Sequence, residues 1–382
     1  MSAPVYLDYA ATTPVDPRVA AAMAHCLTLD GVFGNPSSLH AYGTAARALV
    51  EEARAQVARL IGAAAQDLIW TSGATESNNL AILGTARAAA GRHLVTVRSE
   101  HKSVLDPSRA LEREGFTVTW LAPDADGLVA PAAVAAALRA DTVLVSVMHV
   151  NNEIGVVQDI EAIGALCHER GIPLHVDAAQ SAGRLPLDMG RGAVDLLSIT
   201  AHKLYGPKGI GALYVSPARR PGLRPLLHGG GHERGLRPGT LATHQIAGFG
   251  LAAQLAAEQR VAEAARLGAL RERLWRGLAQ IDGALLNGHP VHRVANILNV
   301  SFPGVEGESL LLGVPQIAVS TGSACNAESG EPSYVLRALG RDSQLAQSSL
   351  RFSLGRFTTA EDIDVAIAAV TQEVRRLRAV AP

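Results

Sequence analysis

Between residues 67 and 215 the chain switches repeatedly between short apolar runs and helical patterns. Strands are predicted at 67–71, 93–98, 117–121, 142–150, 172–177, 195–200 and 211–215. Helical spacing is predicted between most of them, at 75–90, 103–114, 131–139 and 159–170. The run Thr-Val-Leu-Val-Ser-Val-Met that starts at Thr142 is almost continuously apolar, as a strand buried on both faces must be. Such alternation predicts an α/β architecture, a mostly parallel sheet with helices on both sides.

The flanks read differently. Ala46, Leu49, Val50, Ala53, Val57, Leu60 and Ile61 recur at helical spacing, and Gly62 ends that helix. Residues 244–280 hold no proline and predict one long or broken helix linking two domains. Beyond it, strands at 296–302, 317–320 and 350–354 and helices at 332–339 and 359–378 predict a smaller α+β domain. A chain of 382 residues, 48% hydrophobic, can fill both cores. Its net charge of −1 argues against a general role on nucleic acid or membrane surfaces. The first residues lack a basic and apolar leader, and three scattered cysteines suit a reducing, cytoplasmic setting.

Residues able to do chemistry gather where predicted strands end, the place at which α/β sheets bind ligands. Lys203 follows the strand at 195–200, and Asp177 ends the one before it. Alone, Lys203 reads as a loop lysine and Asp177 as a helix cap or metal ligand. Together they suit pyridoxal phosphate (PLP): the lysine holds the aldehyde, and the aspartate pairs with the ring nitrogen. Thr71-Ser-Gly-Ala-Thr-Glu-Ser-Asn-Asn79 joins a strand end to a helix start. It is either an ordinary cap or a phosphate site. His101 and Asn151 also lie just past strands. The imidazole could stack on a ring and move protons, and the amide could hold a ring oxygen or a carboxylate; a polar loop histidine and a turn residue are the alternatives.

Cys325 sits among small and polar residues, the setting of a reactive thiol, whereas Cys167 shares an amphipathic helix face with Ile160 and Ile163. Arg351, alternating within a strand, is suited to clamp a carboxylate, or to a surface ion pair. His228 and His232 stand four apart in a Gly-rich loop, with no helix and no third ligand to make a zinc site.

Taken together these segments resemble the cysteine desulfurases of the NifS/IscS type, fold-type I PLP enzymes of the class V aminotransferase family. The likeness is carried by Thr-Ser-Gly-Ala-Thr-Glu-Ser from Thr71, His-Val-Asn-Asn-Glu-Ile-Gly from His149 and Asp-Ala-Ala-Gln from Asp177. His-Lys-Leu-Tyr-Gly-Pro-Lys-Gly-Ile-Gly from His202 and Gly-Ser-Ala-Cys ending at Cys325 complete it. The resemblance implies a large PLP-binding domain over 14–258. A small domain from 1–13 with 259–382 would carry the Cys325 loop. It implies that Lys203 carries the cofactor and moves the α-proton, that Asp177 pairs with the ring nitrogen and that Gln180 bonds the phenolic oxygen. His101 would stack on the ring as acid and base. Ala74, Thr75, Thr200 and His202 would hold the phosphate, with Thr240 reaching the phosphate of the other subunit of a homodimer. Asn151 and Arg351 would hold the carboxylate of L-cysteine, and Cys325 would take its sulfur as a persulfide, leaving L-alanine. Acceptors would be an iron–sulfur scaffold protein, with transient cluster ligation by Cys325, or thiolated tRNA and cofactor pathways.

Three departures stand out. Thr200-Ala201 replaces the usual Ser-Gly, Pro238 replaces a common Ser, and the chain stops at Pro382, where relatives often carry a longer tail that helps dock the scaffold. A selenocysteine lyase or a related C–S lyase, and a catalytically idle PLP-fold scaffold, are the competing readings. Cys325 argues against the first, and intact Lys203, Asp177, His101 and Cys325 argue against the second.

Overall fold

The predicted alternation builds one sheet. The computed structural model of the protein describes residues 3–321 and 331–380. The chain opens with β1 (Val5–Tyr6), α1 (Pro17–Ala24) and α2 (Ala41–Leu60). Next come β2 (Leu68–Thr71), α3 (Ala74–Ala86), β3 (His93–Val97), α4 (Lys102–Arg113), β4 (Thr117–Leu121) and α5 (Pro131–Ala137). The sheet is completed by β5 (Thr142–Met148), α6 (Ile160–Glu169), β6 (Leu174–Asp177), β7 (Leu196–Thr200) and β8 (Gly211–Val215).

These seven strands run in the order β2-β8-β7-β6-β5-β3-β4. All are parallel except β8, which lies antiparallel between β2 and β7. β3, β5, β7 and β8 are buried at every residue, which explains their unbroken apolar runs. β3 has β4 on one side and β5 on the other, so the strand order reverses there. A crevice opens at such a reversal, beyond the carboxyl ends of the strands.

The other edge strand, β2, is covered by the Gly-rich loop. Glu233 accepts the Trp70 N–H at 2.8 Å and a bidentate pair of bonds from buried Arg54, while Arg234 donates to Leu68 O at 2.7 Å. That cover satisfies backbone groups an open edge would expose.

One long helix, α7 (Thr243–Leu278), joins the two cores. Ile246, Phe249, Ala253 and Ala256 pack in the core of the large sheet. Leu267, Leu274 and Leu278 pack in a second core. That core contains β9 (Leu285–Leu286), β10 (Ile297–Ser301), α8 (Gly307–Leu312), β11 (Ile317–Ala318), β12 (Ser349–Ser353) and α11 (Ala360–Val380), with α9 (Tyr334–Ala338) and α10 (Ser343–Gln347) beside it. The sheet β12-β10-β9 is antiparallel. β1 pairs in parallel with β11, so the first strand of the chain belongs with the last third.

Candidate active site

The loops at the carboxyl ends of the large sheet enclose a cavity of ≈ 500 Å³. Its wall draws on the start of α3, the turns after β3, β5, β6 and β7, the segment after β1, Tyr334 of α9 and Arg351 of β12.

Lys203 ends the short helical turn that follows β7 and enters this cavity. Its Nζ donates to Ala10 O. Burial pushes the lysine pKa down to about 7, aided by the Arg351 and Arg184 charges and opposed by Asp177 and Asp8. Gln180 Nε2 donates to the same Ala10 carbonyl at 2.8 Å, so amine and amide converge on one point. Arg184 fixes the other end of that amide, donating to Gln180 Oε1 at 2.7 Å.

Asp177 closes β6 and is 5% exposed. Its Oδ1 accepts from Ala179 N at 2.9 Å and its Oδ2 from Asn78 Nδ2 at 2.8 Å. Asn78 also donates to Ser103 Oγ at 2.9 Å, and Ser103 Oγ meets His101 Nδ1 at 2.8 Å. A polar chain thus runs from Asp177 to His101. His101 is the N-cap of α4, its Nδ1 accepting the Ser103 N–H at 3.1 Å. With Nδ1 an acceptor, the neutral ring carries its proton on Nε2. Burial lowers the imidazole pKa, against the pull of Asp177. Asn78 and Ser103 were not anticipated from sequence as site residues. The only signal was the polar run Ser77-Asn78-Asn79 on a helix that is otherwise largely apolar.

Ala74 and Thr75 form the first turn of α3, which no side chain caps, and both line the cavity. Gly73 there adopts φ +153, and a Cβ added to it would stand 3.8 Å from the Thr200 hydroxyl. Helix start and hydroxyl together suit an anion. His202 lines the same corner, its Nδ1 3.1 Å from Thr12 Oγ1. Burial and the Lys203 charge lower its pKa to about 4, so near neutrality the imidazole offers polarity and no charge. Ala201 is fully buried, and a Cβ on Gly206 would come within 3.0 Å of its methyl. The extra methyl is therefore packed beneath the turn and stays out of the cavity.

Arg351 is 2% exposed; it donates to Asn152 O at 2.9 Å and pairs with Asp8 at 2.7 Å. It lines the cavity from within the molecule, unlike a surface ion pair. Asn151 is placed differently from the expectation. Its Nδ2 donates to Ser99 O at 2.9 Å, and its Oδ1 accepts from Glu153 N and Ile154 N. That amide shapes the turn after β5, while Asn152 and Glu153 face the cavity. Thr240 is exposed and stands outside the residues that line it. Cys325 lies outside the described residues. Cys26 and Cys167 are both buried, and burial pushes the Cys167 thiol up to about 12. Among the described residues no three His, Cys, Asp or Glu side chains group as a metal site.

The class V aminotransferase family model matches residues 5–365. The cysteine desulfurase IscS of Shewanella baltica strain OS223 is 56% identical over 385 aligned residues, covering 100% of this chain and 95% of its own. Among solved structures, a NifS-like protein superposes with a TM-score of 0.91 at 34% identity, covering 98% of this chain and 100% of its own. SspA, solved in complex with cysteine, superposes with a TM-score of 0.82 at 38% identity, over 93% of this chain and 100% of its own.

Proposed function

The chain belongs to the class V aminotransferase family and is a cysteine desulfurase, and from that premise we propose that PLP fills the cavity and that Lys203, His101, Arg351 and Cys325 carry the reaction. L-cysteine is converted to L-alanine, and its sulfur passes to an acceptor.

The donor set supports PLP. The uncapped start of α3 with Ala74 and Thr75, the Thr200 hydroxyl and the imidazole of His202 would take the phosphate. Asp177 would pair with the ring nitrogen, Gln180 with the phenolic oxygen and Lys203 with the aldehyde. When bound, PLP supplies the electron sink for cleavage at the substrate's α and β carbons. The observation that carries this reading is the convergence of Lys203 Nζ and Gln180 Nε2 on Ala10 O, close to the strand end that bears Asp177.

The protein groups then have distinct tasks. Arg351 binds the substrate carboxylate. Lys203, whose amine burial holds toward the neutral form, takes the α-proton and returns one later. His101 holds a proton on Nε2 for the reacting end. Cys325 attacks the substrate sulfur as thiolate: the S–S bond forms as the C–S bond breaks. The sulfur stays as a persulfide, and the three-carbon remainder, reprotonated, leaves as alanine.

The domain division is part of the proposal: 14–258 would bind the cofactor, and 1–13 with 259–382 would carry Cys325. Thr240, exposed on its loop, would complete the phosphate site of a second subunit in a homodimer. The acceptor would be an iron–sulfur scaffold or another sulfur carrier, met in the cytoplasm. No helix of the described residues is long and apolar enough to cross a membrane.

Borohydride reduction of the yellow holoenzyme, followed by peptide mapping, should find the cofactor on Lys203. Cys325→Ala should keep the colour and lose sulfide release from cysteine with dithiothreitol. Sulfide release at the wild-type rate from that variant would refute the role given to Cys325.

A further inference from the structure

One buried carboxyl beside the cavity has no part in these steps. Glu153 is 1% exposed and lines the cavity. Its Oε2 accepts the hydroxyl proton of Ser333, and Ser333 Oγ in turn accepts the Leu336 N–H at 3.2 Å. Ser333, 3% exposed, is thereby the N-cap of α9. The next residue, Tyr334, lines the cavity, and its hydroxyl donates to Glu100 O at 2.8 Å.

The backbone of Glu153 is fixed as firmly. Its N–H donates to Asn151 Oδ1 at 2.9 Å, and its carbonyl accepts from Asn299 Nδ2 of β10 at 3.2 Å. Arg351 of β12 reaches the neighbouring carbonyl, that of Asn152. One turn after β5 therefore receives β10, β12 and α9. The wall that bears Arg351 and the wall that bears Tyr334 are both referenced to it.

We propose that Glu153 is a positioning residue: by holding Ser333 and the start of α9, it sets the width of the substrate end of the cavity and restricts that end to an amino acid with a side chain as short as cysteine's. The inference rests on the cysteine reading given above. Burial raises the Glu153 pKa, against the Ser333 hydrogen bond and the Arg351 charge. In either protonation state an oxygen accepts from Ser333, so glutamine at 153 retains the tie. Alanine at 153, or at 333, removes it.

The test uses holoenzyme and two amino acids, L-cysteine and the one-carbon-longer L-homocysteine. Binding of each is followed by the change in cofactor absorbance in proteins that also carry Cys325→Ala, which lack the thiol that cleaves cysteine, and alanine release from cysteine is measured alongside with Cys325 intact. Glu153→Ala and Ser333→Ala should each narrow the cysteine-to-homocysteine affinity ratio by about tenfold, the low end of what one extra methylene is worth in a fitted pocket. The double variant should lose no more than either single one, and Glu153→Gln should stay near wild type. An unchanged ratio in Ser333→Ala, or additive losses in the double variant, would overturn the proposal. Ser333→Ala decides the matter even where Glu153→Ala fails to fold. The affinity ratio is read without turnover, so a wild-type enzyme that released no alanine would count against the proposed reaction and leave this result standing.

Discussion

At the scale of single residues, Lys203 is governed by desolvation. An ordinary lysine near pKa 10.4 is almost wholly protonated at neutral pH. Burial brings Lys203 to about 7, so the free amine that captures an aldehyde becomes abundant three units earlier than usual. The sign follows: capture of added PLP by apoenzyme should accelerate as pH rises through about 7 and then level off. Stopped-flow absorbance would show it. Arg351→Gln removes the largest charge that disfavours the ammonium form, so the midpoint should move upward. A midpoint above 9 in the wild-type enzyme would contradict the buried amine. The amine, the aspartate and the imidazole were legible as chemistry-bearing types at strand ends. The network from Asp177 through Asn78 and Ser103 to His101 was not. Its members are 99, 25 and 2 positions apart, and only folding brings them within bonding distance.

At the scale of elements, the start of α3 depends on β8. A Cβ on Gly211 would lie 2.6 Å from Gly73 Cα, 2.6 Å from Ile199 O and 2.8 Å from Gly73 C. All three are backbone atoms, which cannot rotate aside. Gly211→Ala should therefore push the Gly73 turn outward and weaken PLP retention by about tenfold or more, as misplacement of a preorganised site does. Equilibrium dialysis of cofactor from the variant measures this, and undiminished retention would show that the turn does not need that contact. Strand and helix positions in this region were legible, because periodicity is a local property. The antiparallel course of β8 was not, since an apolar run buried on both faces reads the same in either direction. Nor was the cover of β2, which depends on Arg54 and Glu233, 179 positions apart.

At the scale of the whole molecule, the two cores are laced together by ion pairs near the N-terminal segment. Arg356, just past β12, donates to Asp16 at 2.8 Å and pairs with Glu263 of α7. Its guanidinium lies over the Tyr205 ring, 4.1 Å from the centroid, in the turn after Lys203. Asp16 is 3% exposed, and its carboxyl is held far below the usual range, first by Arg18 and also by Arg356. Arg356→Ala would leave Asp16 with Arg18 alone and remove the Glu263 contact, costing about 1.5 kcal/mol, the low end for a hydrogen bond to a charged group. Denaturant titration of the holoenzyme would report it. A loss below about 0.5 kcal/mol would place this contact with weak surface pairs.

The sequence by itself determined the α/β alternation, the long helix without proline and the types of residue at the strand ends, because each is written in neighbouring side chains. Tertiary structure alone decided that β8 runs antiparallel between β2 and β7, that Asn151 shapes a turn while Asn152 and Glu153 face the cavity, and that burial lowers the His202 pKa. These depend on which side of a turn a side chain leaves and on how much water is removed around it. Both are set only when segments distant in the chain close over one another.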